Sequence, residues 1–151
     1  SAQSVSGGFG DIAFSRDGNS LYAVRNSVGG LVRIDTSLDE RGDTTDTPAA
    51  QVEVCAEPSA MVWFSDGATE YAAISCYRPG ALYIVDLGAF RVVEQVFVGA
   101  GPHQMVVDAP RSYVYVANTL DATISVVDVG RTRSTRFTEV ARIGLQEPYS
   151  G

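Results

Sequence analysis

The chain reads as an all-β protein, a partial β-propeller of three four-stranded antiparallel blades, and three observations carry that reading. An apolar triplet opens each of three copies: Ile12-Ala13-Phe14, Met61-Val62-Trp63 and Met105-Val106-Val107. Ten residues after the first member of each triplet stands a tyrosine, Tyr22, Tyr71 or Tyr115. Each copy then closes an apolar segment on aspartate, at Asp35, Asp86 and Asp128. The triplets begin 49 and 44 residues apart, and a four-stranded blade occupies roughly 40–50 residues.

Taken in order, each copy shows period-two alternation or short apolar runs bounded by turn residues, the signature of strands, and no window carries a helical stripe. Ser15-Arg16-Asp17-Gly18 and Ser65-Asp66-Gly67 read as hairpin turns between first and second strands, with glycine supplying a positive backbone angle. Asp108-Ala109-Pro110-Arg111 serves the same purpose in the third copy, with proline as the turn former. The strands expected there are 103–108, 113–118, 122–129 and 136–143. The last strand of the first copy is placed at Gln51-Val52-Glu53-Val54, after a polar excursion from Thr36 to Ala49. Blade 1 then spans about 8–55, blade 2 about 57–99 and blade 3 about 101–144, with 145–151 a tail or the start of a next blade within one domain. Trp63 and the three repeat tyrosines keep the repeat register, so they are expected to pack between blades, as are Ile12, Phe14, Met61, Met105 and Val107.

The pattern resembles the bacterial and archaeal propeller family named for its Tyr-Val-Thr-Asn (YVTN) repeat. The strongest match is Gly101-Pro102-His103-Gln104-Met105-Val106-Val107, then Tyr115-Val116-Ala117-Asn118 and Ile124-Ser125-Val126-Val127-Asp128. Blade 2 departs with Tyr71-Ala72-Ala73-Ile74 and blade 1 with Tyr22-Ala23-Val24-Arg25. The resemblance implies the fold; it leaves activity open, because one fold hosts unrelated chemistries.

Three blades do not close a ring, since propellers carry about 4–8. Gln146-Glu147-Pro148-Tyr149 repeats the Glu57-Pro58 opening of blade 2, so a fourth blade is expected to begin there. The missing blades would come from another chain, or from a second copy in a homodimer closing six blades. A truncated segment is the plainer alternative.

With 45% hydrophobic and 19% charged residues the composition is globular. A net charge of −7, in a chain whose basic residues are all arginine, argues against nucleic acid, which demands a cationic surface. No apolar run approaches the ~20 residues of a membrane span. Ser1 to Gly8 has neither a cationic start nor an apolar centre, so an export signal would lie outside this chain.

Loops joining outer to next inner strands, and those joining second to third strands, emerge on one face of a propeller. The first type supplies Glu57, His103 and Gln104; the second supplies Arg25, Asn26, Tyr77, Arg78, Asn118 and Asp121. These are the binding-face candidates. His103, the sole histidine, suits proton transfer or ligation, but no co-ligand or nucleophile motif accompanies it; a hydrogen-bonded turn residue is its plain alternative. No catalytic residue, cofactor or metal is therefore assigned. Cys55 and Cys76, 21 residues apart in adjacent same-face loops, fit a disulfide, two buried thiols being the alternative. Their spacing matches no zinc or covalent-haem pattern, and a disulfide would place the protein outside the cytoplasm. The acidic loop Asp39 to Asp46 does not follow a calcium-loop spacing and reads as solvated.

Two functions remain. The favoured one is a non-enzymatic interaction module, a blade segment of an exported or surface protein. The alternative is a fragment of a propeller enzyme, lactonase-like or a quinoprotein- or haem-associated oxidoreductase, its catalytic groups spread over missing blades; Glu57, Arg78 and His103 would then contribute.

Overall fold

The computed structural model describes residues 9–26, 29–36, 41 and 47–144, so Ser1 to Gly8, most of the Asp39–Asp46 loop and the Gln146–Tyr149 tail lie outside the described residues. Blade 1 is built from β1 (Phe9–Phe14), β2 (Ser20–Arg25), β3 (Gly30–Asp35) and β4 (Thr47–Glu53). Blade 2 holds β5 (Pro58–Ser65), β6 (Glu70–Cys76), β7 (Ala81–Asp86) and β8 (Arg91–Phe97). Blade 3 holds β9 (Pro102–Asp108), β10 (Tyr113–Asn118), β11 (Thr123–Asp128) and β12 (Thr138–Gly144). Each blade is a sequential antiparallel sheet, and the inner strands β1, β5 and β9 neighbour one another. Among the described residues no helix is long and apolar enough to cross a membrane.

The repeated aspartates have a local cause. Asp86 Oδ1 accepts the N–H groups of Gly88 and Ala89, and Asp128 Oδ1 accepts that of Gly130, so each caps the turn leaving the third strand. In the first hairpins, Asp17 and Asp66 accept backbone N–H groups two or three residues on. The outermost ladders share one irregularity: the register shifts between Arg33 and Ile34, Ile84 and Val85, and Val126 and Val127. An extra residue at the same place in every outer strand bends and twists an edge that would otherwise invite pairing.

Two apolar layers hold the blades together. Tyr22, Val24 and Leu31 of blade 1 pack on Met61, Ala72, Ile74, Val85 and Leu87 of blade 2. Ala60, Phe64, Tyr71, Ala73, Leu82 and Ile84 on the other face of blade 2 meet Met105, Val114, Val116, Val127 and Val129 of blade 3.

Three sequence expectations are corrected. Ile12 and Phe14 are 60% and 65% exposed, whereas Met61 and Met105, the counterparts of Ile12, are each 8% exposed, and Trp63 and Val107, those of Phe14, are half-buried. The pattern is the same, but no described residue stands in front of blade 1 to cover its leading flank. The fourth strand of blade 1 begins at Thr47, four residues before Gln51; it is the edge strand of its sheet, where a proline is tolerated. Tyr71 is also out of register. Tyr22 and Tyr115 pair with Arg33 and Val126, while Tyr71 pairs with Asp86, two residues nearer the turn. Blade 2's first hairpin is longer by two residues, from Trp63↔Ala72 against Phe14↔Leu21 and Val107↔Val114. An even shift keeps the side chain on the same face.

Candidate functional site

The connections between blades and the turns between second and third strands lie together at one end. Tyr77 N–H donates to the Glu57 carbonyl at 3.0 Å, Val54 N–H to that of Gly29 at 2.7 Å, and Thr119 N–H to that of Gly101 at 2.8 Å. The first and third links fold the turns of blades 2 and 3 back onto the starts of their own inner strands, and the second ties the blade 1 turn to the connection leaving its outer strand. Cys55 and Cys76 are joined by a disulfide, with their Cα atoms 6.1 Å apart. Cys55 is the connecting residue, while Cys76 ends β6 and is fully buried. The bond ties the blade 1–blade 2 connection to the second strand of blade 2.

At this end Asn26, Glu57, Pro58, Ser59, Tyr77 and His103 line an open depression of about 340 Å³ that all three blades contribute to. Its floor is fixed by hydroxyls. Ser75, fully buried, donates from Oγ to the His103 carbonyl at 2.8 Å, and Ser59 Oγ reaches the Pro102 carbonyl at 3.2 Å. The inner strands are thereby held at a fixed spacing beneath the rim. Arg78 Nε lies 3.8 Å from Glu57 Oε2 across the rim, with both side chains more than half exposed. The depression therefore offers one histidine, one phenol and a solvated ion pair. Among the described residues no three His, Cys, Asp or Glu side chains come together as a metal set.

The other candidates stand elsewhere. Asn118 is 1% exposed and donates from Nδ2 to Thr123 Oγ1 at 3.0 Å and Ser125 Oγ at 2.8 Å, so it builds the blade 3 turn. Asp121 accepts from the Thr123 hydroxyl and the Ala100 N–H, bonds that hold its carboxyl below the usual carboxylate range. Gly99 lies against this cluster: an added Cβ would come within 2.4 Å of Asn118 Nδ2 and 2.7 Å of Asp121 Oδ2. Arg25 donates to Gln51 Oε1 at 3.0 Å on the edge of blade 1. Gln104 is exposed on β9 and is not among the residues that line the depression. Ser59 and Ser75 were missed by sequence reasoning. Small hydroxyls in a strand carry no signal until the neighbouring inner strand is seen beside them.

No protein-family model and no curated relative matches the sequence. Solved structures do. Hydrazine synthase from Kuenenia stuttgartiensis aligns with a TM-score of 0.67 at 22% identity, over 87% of this chain and 34% of that one. The periplasmic gluconolactonase PpgL of Pseudomonas aeruginosa gives 0.71 at 18% identity, over 93% and 41%. Dihydro-heme d1 dehydrogenase NirN gives 0.72 at 14% identity, over 95% and 29%. The fold is that of a β-propeller. The chain spans between 29% and 41% of the length of these three structures, about the share that three blades hold in a closed ring. At such identities the likeness carries the fold alone.

Proposed function

We propose that this chain supplies three blades to a larger, exported propeller of the Tyr-Val-Thr-Asn type and works by association. The observation that carries the reading is the pair of apolar flanks that no blade among the described residues covers. On the leading flank Ile12, Phe14, Leu21 and Ile34 share one sheet face; on the trailing flank Val106, Tyr115, Ile124 and Ile143 do so. Val106 is 67% exposed and Ile143 48%. At ~25 cal/mol per Å², several hundred Å² of such surface is a large driving force for docking. The Cys55–Cys76 bond supports export, because such bonds persist in oxidising compartments.

Light scattering tests this. The purified chain should run well above 16.0 kDa, or shift there with a stoichiometric partner. A dispersed 16.0 kDa species across micromolar concentrations, whose flank amides exchange as slowly as those of β6, would refute it.

A second reading is favoured by the depression itself: Glu57, Tyr77, Arg78 and His103 would form one sector of a hydrolytic site completed by further blades. PpgL, a gluconolactonase by name, makes lactone opening the activity to assay on a completed ring.

A further inference from the structure

Both closed interfaces carry the same aromatic clasp. Phe90 and Phe137 occupy equivalent positions, each one residue before the outer-strand partner of the closing aspartate (Asp86↔Arg91, Asp128↔Thr138), and each has a positive φ, 53° and 60°. That left-handed backbone, uncommon for an aromatic residue, accompanies a ring packed against the preceding blade. Phe90 stacks on Tyr22 of blade 1 with centroids 6.2 Å apart, and Phe137 meets Tyr71 of blade 2 edge-on at 5.9 Å. A guanidinium covers each phenylalanine: Arg33 lies 5.6 Å from the Phe90 centroid and Arg136 4.4 Å from that of Phe137. The rule at both interfaces is one: a second-strand tyrosine receives a phenylalanine from the turn before the next blade's outer strand.

On blade 3 both receiving positions hold tyrosine. Tyr115 matches Tyr22 in register and Tyr113 matches Tyr71, and the two rings form an edge-on pair 6.5 Å apart on the trailing flank. Arg133 of the same blade lies 5.0 Å from the Tyr113 centroid, as Arg136 lies over Tyr71, but no described blade stands beyond this pair.

We propose that the Tyr113–Tyr115 face is a socket for one more blade of this same repeat, carrying a phenylalanine immediately before its outer strand. The proposal rests on the association reading above and gives its trailing surface one occupant.

The test extends the whole chain after Gly144, the register equivalent of Phe97, with a second copy of residues 98–144, which brings a further Phe137 to the socket. Amide exchange in β10 and β11 should slow at least tenfold relative to the unextended chain. Replacing the added phenylalanine by leucine, which keeps apolar bulk, should return several-fold of that protection. The same replacement should do little when Tyr113→Leu and Tyr115→Leu are already present. Equal losses in both backgrounds, or no added protection in the extended chain, would overturn the clasp. So would an unextended chain that dimerises with exchange in β10 and β11 slowed by its partner's blade 1, because the occupant would then be a second copy. Light scattering of the unextended chain judges the association reading separately, so a monomer there and a coupled clasp here are distinguishable results.

Discussion

Blade 2 and blade 1 present the same leading face to different surroundings. Met61 and Trp63 of blade 2 meet blade 1, and Met61 is 8% exposed; Ile12 and Phe14 at the same register positions face no described residue and are 60% and 65% exposed. The pattern of apolar residues thus specifies which face of a blade is sticky, and only the neighbour decides whether that face is core. A repeat unit contributes an intrinsic sheet and two interface terms, and the outer blades each lack one of the latter.

The difference should be largest for side chains inside the closed layers. Ile84, fully buried between blades 2 and 3, should cost about 4 kcal/mol on replacement by alanine, because the methyls it loses leave a cavity walled by two sheets. Ile12→Ala on the leading flank should change stability by less than about 0.5 kcal/mol in the isolated chain. Urea midpoints of the two variants measure the contrast. Comparable losses would mean that the leading flank is covered after all.

Much of this was legible beforehand. The blades, their twelve strands and the disulfide follow from the repeat spacing, the turn residues and the one pair of cysteines. Positions that depend on a partner strand were not. The ten-residue tyrosine spacing hid the longer hairpin of blade 2, because Tyr71 falls two residues from its expected partner while keeping its face. Loop type groups Glu57, Tyr77 and His103, which line one depression, but it also counts Asn118, whose amide is spent inside its own blade. Arg136 and Asp66 lie 70 residues apart and carry no motif, so their contact was invisible in the sequence.

The disulfide sharpens the comparison from the blade 1–blade 2 side. It closes a loop of 21 residues across that junction, and removing it with Cys55→Ala and Cys76→Ala together should lower stability by about 3 kcal/mol. If the junction is a cooperative interface, exchange should quicken in β1–β4 while β9–β12 keep their protection. Uniform loss across all three blades would show instead that the sheets unfold as one unit and that blade-by-blade interface terms are the wrong description.

The smallest effect belongs to the polar staple on the blade 2–blade 3 side. Arg136 donates from Nη2 to Asp66 Oδ2 at 2.9 Å and to Tyr71 Oη at 3.0 Å, and the Asp66 side chain is only 4% exposed. Burial opposes ionisation of Asp66, but the N–H groups of Thr69 and Ala68 and the Arg136 charge outweigh it and hold the carboxyl below its ordinary value of 3.8. Arg142 with Glu139 at 3.0 Å, across from Ser125 and Val127 on the same side of blade 3, is a looser pair, where the arginine is 43% exposed and solvent screens it. Asp66→Asn should cost about 2 kcal/mol at neutral pH, as expected for charged hydrogen bonds in a largely buried setting. A carboxyl with a depressed folded pKa stabilises fully above its unfolded value and loses that contribution as pH falls through the folded one. The gap between wild type and Asp66→Asn should therefore be constant above about pH 5 and narrow below about pH 4. A gap for Asp66→Asn that persists unchanged to pH 2 would mean that the asparagine merely fits the turn badly, and that the ion pair adds nothing to the closed interface.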